Sequence, residues 1–214
     1  MTPDEERAAR LAGSVWAAVN AAGGPGAAAL THLPAVLDPA WLAALPLPDP
    51  DALPPGHAVS MPGPAQDGFE RHDDPAALRA AYRQRPRTRI INDIGWGDRA
   101  PWAAHAGRHL TRLASGPRIV ITAYHSVHGD EELGVHHDTW TGVVIQTSGA
   151  KTWQAGHRPA SAGAGAGGAR EITVTAGDIL IIPKYLPHAV TTPPRPGHST
   201  HLVFAINRDL TASP

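Results

Sequence analysis

The chain has 214 residues, with 18 Lys and Arg against 19 Asp and Glu, so its formal net charge is −1. No block of like charge stands out, which argues against a nucleic-acid or membrane-surface partner. Cysteine is absent, which excludes disulfides, thiolate metal sites and a cysteine nucleophile. The opening "MTPDEERAAR" has no apolar signal region and no run reaches membrane-spanning length, so a cytoplasmic protein is the default expectation. The length suits one domain. Two usage features matter for chemistry. There are 13 histidines, and only two lysines, Lys151 and Lys184, in a chain that otherwise uses arginine.

The first element reads as a helix. Thr2 and Glu5 form a Thr-x-x-Glu capping box around Pro3. Leu11, Val15 and Val19 recur at four-residue steps and give one apolar stripe. "GGPG" at 23–26 stops it. "DPAWLAAL" from Asp38 is a short second helix. Residues 46–68, rich in Pro and Gly, read as irregular covering loop. A third helix opens after Asp74 with Leu78 and Tyr82 on one face. "RIINDI" at 89–94 reads as a strand. A fourth helix spans 100–115, with Trp102, Ala106, His109, Leu110 and Leu113 near one face. Trp16, Trp41 and Trp102 are assigned to the helix core.

After Pro117 the period changes from helical to β. "RIVITAY" (118–124), "GVVIQT" (142–147), "KTWQA" (151–155), "EITVT" (171–175), "DILII" (178–182), "HAVTT" (188–192) and "STHLVFAIN" (199–207) are β-branched runs. Turn residues separate them: Ser148-Gly149, the Gly/Ala tract 162–169 (a hairpin tip), Ala176-Gly177 and 193–197. The expected architecture is mainly β with N-terminal helices: a jelly-roll barrel over 86–214, covered by helices and loop over 1–85, as one structural domain.

The stretch "GVHHDTW" (134–140) carries the candidate chemistry. On a strand, positions i and i+2 share a face. His136 and Asp138 then point one way and His137 the other. "PKYLPHAVTT" adds His188 in a β context. Two histidines and one carboxylate form the facial set that leaves open positions on Fe(II). A His-x-Asp pair also arises by chance in a histidine-rich chain, so the residue pattern leaves metal binding and ordinary packing both open. Lys151 follows just after the next strand. Turned into a barrel it requires an anion, such as a carboxylate; on a hairpin edge it would sit in water.

The segment "AYHSVHGDEELGVHHDTWTGVVIQTSGAKTW" followed by "GDILIIPKYLPHAVTTPPRPGHSTHLVFAIN" resembles the JmjC-type, cupin-fold Fe(II)/2-oxoglutarate dioxygenases, nearest to the ribosomal-oxygenase-like hydroxylases. The resemblance is strong over 118–207 and weaker over 86–117. It implies a double-stranded β-helix core, with Fe(II) held by His136, Asp138 and His188. It implies 2-oxoglutarate as cosubstrate with dioxygen, and release of succinate and CO2. Lys151, fifteen residues after His136, falls at the basic residue that pairs with the distal cosubstrate carboxylate; Tyr124 and Ser199 fall at further contacts to it. His128 and Trp140 are candidates for the substrate pocket, against bland readings as solvated loop and core aromatic. Thr122 departs from the asparagine often found there. The larger members continue into a dimerisation segment and a winged-helix-like domain, whereas this sequence stops at Pro214. The resulting expectation is a hydroxylase for a peptide, amino acid or small metabolite, of unspecified oligomeric state. The alternatives are a metal-dependent cupin enzyme that takes no 2-oxoglutarate, and a non-catalytic cupin binding module. The ligand histidines must be neutral, so metal affinity is expected to fall below the ordinary histidine range, about pH 6.5.

Overall fold

A computed structural model describes residues 1–52, 57–63, 68–96, 99–114, 116, 119–156 and 170–206. The Gly/Ala tract 162–169 lies outside the described residues, as do Ser115, Arg118 and Asn207 at the expected ends of elements.

Helix α1 (Pro3–Ala21) forms as its sequence dictates. The Thr2 hydroxyl accepts from the Glu5 N–H at 3.3 Å, and the Glu5 carboxylate accepts from the Thr2 N–H at 2.7 Å. Leu11, Val15 and Val19 are fully buried. α1 packs on α4 (Pro101–Ala114). The buried stripe of α4 is Trp102, Ala103, Ala106, Gly107 and Leu110. His109 and Leu113, expected on that face, are exposed. The stripe rotates toward Ala103 and Gly107, because small residues let the helix sit close to the sheet; a Cβ on Gly107 would stand 3.3 Å from the Ile119 carbonyl oxygen. Trp102 is fully buried, whereas Trp16 and Trp41 are only partly covered by the same core. Two further helices, α2 (Pro39–Ala43) and α3 (Pro75–Gln84), start at Asp38 and Asp74, whose side chains cap the first turn.

The rest is one antiparallel sheet curled into a barrel. Its strands are β1 (Thr31–Leu33), β2 (Val59–Pro62), β3 (Phe69–His72), β4 (Arg89–Ile91) and β5 (Val120–Val127). They continue as β6 (Thr141–Ala155), β7 (Arg170–Thr175), β8 (Ile179–Ile182), β9 (His188–Thr191) and β10 (His198–Ile206). The order is β1-β8-β6-β10-β5-β4-β2-β3, with β7 and β9 both pairing the far half of β6. Strands β1, β2 and β3 were not expected. They are short edge additions, and Pro- and Gly-rich surroundings hide their pattern. "RIINDI" gives only three strand residues before the chain turns at Asp93, whose φ is 50°.

The largest departure is at Ser148-Gly149. These residues do not turn the chain back. β6 runs through them for 15 residues. Gly149 has φ 70°, and the β10 pairing slips at Thr200/His201. This bulge switches which parity faces inward. Gly142 and Val144 line the interior before it; Lys151 and Trp153 line it after.

Two apolar clusters result. The larger lies between helices and sheet and contains Val143, Ile145, Ile179, Ile181, Leu202 and Phe204. The smaller sits inside the barrel and contains Val144, Trp153, Ile172, Val174, Leu180 and Ile182. No helix among the described residues is long and apolar enough to cross a membrane.

Candidate metal centre

The barrel interior brings His136, Asp138 and His188 together. Their potential ligand atoms all lie within 4.8 Å of one another. "GVHHDTW" is not a strand, so the expected alternation is not what aligns the donors. His136 makes a single antiparallel bridge with His188. Its N–H donates to the His188 carbonyl at 3.0 Å, and the His188 N–H donates back at 2.8 Å. The Asp138 carbonyl is held by the Tyr185 N–H at 2.7 Å. Two backbone anchors thus place the donors over the start of β9.

Both rings are oriented the same way. His136 Nδ1–H donates to the Gly134 carbonyl at 2.9 Å, and His188 Nδ1–H donates to the Leu186 carbonyl at 2.9 Å. This fixes the tautomer that leaves Nε2 as a lone pair, the outer-shell arrangement of metal-binding histidines. Asp138 Oδ2 lies 3.9 Å from His188 Nε2. Burial pushes the His188 pKa down to about 4, with the neighbouring His136 acting the same way. The ring is therefore neutral, as a ligand must be. Burial pushes the Asp138 carboxyl up, opposed by His136 and His137. The donor set, two imidazole nitrogens and one carboxylate, fits Fe(II). His137 is exposed, with its ring 6.0 Å from that of Tyr185.

Lys151 is fully buried beside this set and lines the same cavity. Its Nζ donates to Ser126 Oγ at 2.8 Å and Thr192 Oγ1 at 3.0 Å, and pairs with the Glu132 carboxylate. Burial lowers the Lys151 pKa and Glu132 opposes that shift. Trp153 lies between the rings of His188 and His201, 5.7 and 5.8 Å away. Its indole N–H is buried and has no acceptor among the described residues. A buried donor without a partner beside a buried ammonium suits an anionic ligand. The space left is small. The cavity lined by Thr88, Tyr124, Glu132, Lys151, Trp153 and the three donors has a volume of about 30 Å³, room for about two water molecules.

Residues 106–210 match the family described as JmjC domain. The chain carries a JmjC domain. No curated protein matches it in sequence. The fold is similar to the ribosomal oxygenase YcfD of Escherichia coli, at 16% identity and a TM-score of 0.55, covering 85% of this chain and 48% of that one. The YcfD complex with cobalt and 2-oxoglutarate matches at the same identity and TM-score, over 86% of this chain and 49% of that one. The complex with cobalt and succinic acid matches at 18% identity and a TM-score of 0.53, over 85% and 49%. This chain spans about half the length of those structures.

Within the JmjC domain, Tyr124 lines the cavity on β5. Burial, aided by the Asp138 charge, raises its pKa, so the phenol keeps its proton. Ser199, the other expected cosubstrate contact, is buried on β10. Its hydroxyl accepts from Gln146 Nε2 at 2.9 Å, and it is not among the cavity-lining residues. The polar partners at Lys151 are Ser126 and Thr192 instead. His128 is exposed, with Nδ1 3.0 Å from the Thr192 carbonyl, and it does not line the cavity. Trp140 is half-buried and also outside the lining.

Sequence reasoning missed Glu132, Thr88, Trp153 and His201 as cavity groups, and Ser126 and Thr192 as hydroxyl partners of Lys151. Alternation offered some of them. Ser126 follows Tyr124 by two, Trp153 follows Lys151 by two, and Thr192 follows His188 by four. His201 stacks on Tyr124 with centroids 4.9 Å apart, because the two are register partners on β10 and β5. Glu132 lies in a loop, where no period applies.

Proposed function

We propose that this JmjC domain is an Fe(II)- and 2-oxoglutarate-dependent oxygenase that hydroxylates a C–H bond of a peptide, an amino acid or a small metabolite. The observation that carries this reading is the shared cavity: a two-histidine, one-carboxylate set beside a buried lysine. The fold it shares with YcfD supports the reading further. When bound, metal and cosubstrate supply an oxidant from dioxygen, with release of succinate and CO2.

The protein's residues do the rest by position and charge. His136, Asp138 and His188 would hold the metal on one face and leave its other face open. Lys151 would bind the far carboxylate of the cosubstrate, with Ser126 and Thr192 adding hydroxyl donors. The Trp153 indole N–H supplies a further donor that no described residue uses. The phenol of Tyr124 stays protonated and can donate. Val144, Ile182, Val190 and Val203 line the cavity with apolar surface and exclude water.

One observation favours a second reading. Lys151 is already matched by Glu132, as it would be in a metal-dependent cupin that takes no dicarboxylate. Anaerobic titration of the Fe(II)-loaded protein with 2-oxoglutarate separates the two. The oxygenase reading expects a visible charge-transfer band that grows in wild type and needs at least tenfold more cosubstrate in Lys151→Ala. Iron binding without such a band favours the second reading.

A further inference from the structure

The slot that would receive the distal cosubstrate carboxylate contains a carboxylate already. Glu132 Oε1 faces Lys151 Nζ and accepts from Thr192 Oγ1 at 2.9 Å. Its other oxygen accepts from the hydroxyl of Thr88. One ammonium and two hydroxyls therefore hold the group, and the cavity keeps a volume of about 30 Å³. A five-carbon diacid does not enter that space, and a second carboxylate does not share one buried ammonium without repulsion. The protein offers an exit. The Glu132 side chain is 10% exposed while that of Lys151 is fully buried, so Glu132 reaches in from the surface and the lysine stays inside.

The loop backbone is fixed just before it. The Glu131 N–H donates to the Pro86 carbonyl at 2.9 Å, and the Glu131 carbonyl accepts from the Thr88 N–H at 3.0 Å. The Glu131 side chain pairs with Arg85. What can swing is the Glu132 side chain and the short stretch up to Gly134, where an added Cβ would meet nothing.

We propose that Glu132 is an internal stand-in for the cosubstrate's distal carboxylate, which 2-oxoglutarate must displace from Lys151 to bind. This rests on the oxygenase reading above and makes Glu132 the residue that sets cosubstrate affinity. Glu132 completes the charge pair with Lys151 and stabilises the fold, because an unpaired buried ammonium is costly. The same contact weakens the binding of any dicarboxylate, which must exchange one carboxylate for another. A 2-oxo acid without the distal carboxylate has no reason to move Glu132.

The test is calorimetric titration of the Co(II)-loaded protein with 2-oxoglutarate and, separately, with the monocarboxylate 2-oxobutyrate, in wild type and Glu132→Gln. Glu132→Gln is expected to bind 2-oxoglutarate at least tenfold more tightly, with 2-oxobutyrate affinity unchanged. Its ligand-free form should melt below wild type, and saturating 2-oxoglutarate should raise its Tm more than that of wild type. Thr88→Val, which removes only the hydroxyl that holds Glu132 inward, should tighten 2-oxoglutarate in the same direction by less; it answers the question if Glu132→Gln does not fold. Equal or weaker 2-oxoglutarate binding in the variants overturns the displacement and leaves the oxygenase reading standing. No 2-oxoglutarate binding to any of the proteins overturns both.

Discussion

Acid should destabilise the metal-free protein earlier than an ordinary carboxylate-driven transition would. Burial lowers the pKa of both His125 and His188 to about 4, against about 6.5 in an unfolded chain. A histidine depressed in this way favours the folded state fully only above its unfolded pKa. As pH falls through 6.5 the unfolded chain takes up a proton that the folded one refuses, and stability declines until the folded pKa is reached. Each unit is worth about 1.36 kcal/mol per group. Between pH 7 and pH 5 each ring therefore costs about 2 kcal/mol, and the two together about 4 kcal/mol. That is a large share of the total for a domain of this kind, about 5–15 kcal/mol. His201, fully enclosed and lowered further by burial and by Lys151, acts in the same sense. Urea denaturation at the two pH values reads the difference as a shift in midpoint. His125→Phe removes one group whose Nε2 is buried without a partner among the described residues, and should cut the loss by about 2 kcal/mol. A midpoint that does not move between pH 7 and pH 5 would refute the reasoning. At His188, where burial lowers the pKa to about 4, competition between proton and metal belongs near that pH.

Two further outcomes are expected. Asp138→Asn should weaken Co(II) binding by more than about 100-fold, beyond the range of losing an outer-shell contact; spectroscopic titration measures it, and unchanged affinity would remove Asp138 from the ligand set. Gly149→Ala should destabilise by more than about 4 kcal/mol, because φ is 70° and the new Cβ would stand 2.0 Å from the His198 carbonyl oxygen; a thermal melt within a few degrees of wild type would show that the bulge is not required.

Much of this molecule follows from its sequence. The Thr2–Glu5 box and the Leu11, Val15, Val19 stripe specify α1 locally, because capping and helical period act within a few residues. The β-branched runs after residue 118 specify a barrel rather than a bundle. The donor identities and Lys151 are also legible, since two imidazoles, a carboxylate and a rare lysine are chemical facts of the chain. What the tertiary structure decided is which way each group faces. His136 and Asp138 converge through the backbone bridge to His188 and the Tyr185 N–H, not through strand alternation. Lys151 and Trp153 point inward because a positive-φ glycine resets the parity of β6, where the local pattern reads as a turn. Adjacent Glu131 and Glu132 are equivalent in sequence. Only the anchoring of Glu131 to the segment before β4 sends one to the surface, against Arg85, and the other into the barrel, against Lys151. Local periodicity carries no information about contacts between segments so far apart in the chain, and the charge state of the site depends on those contacts.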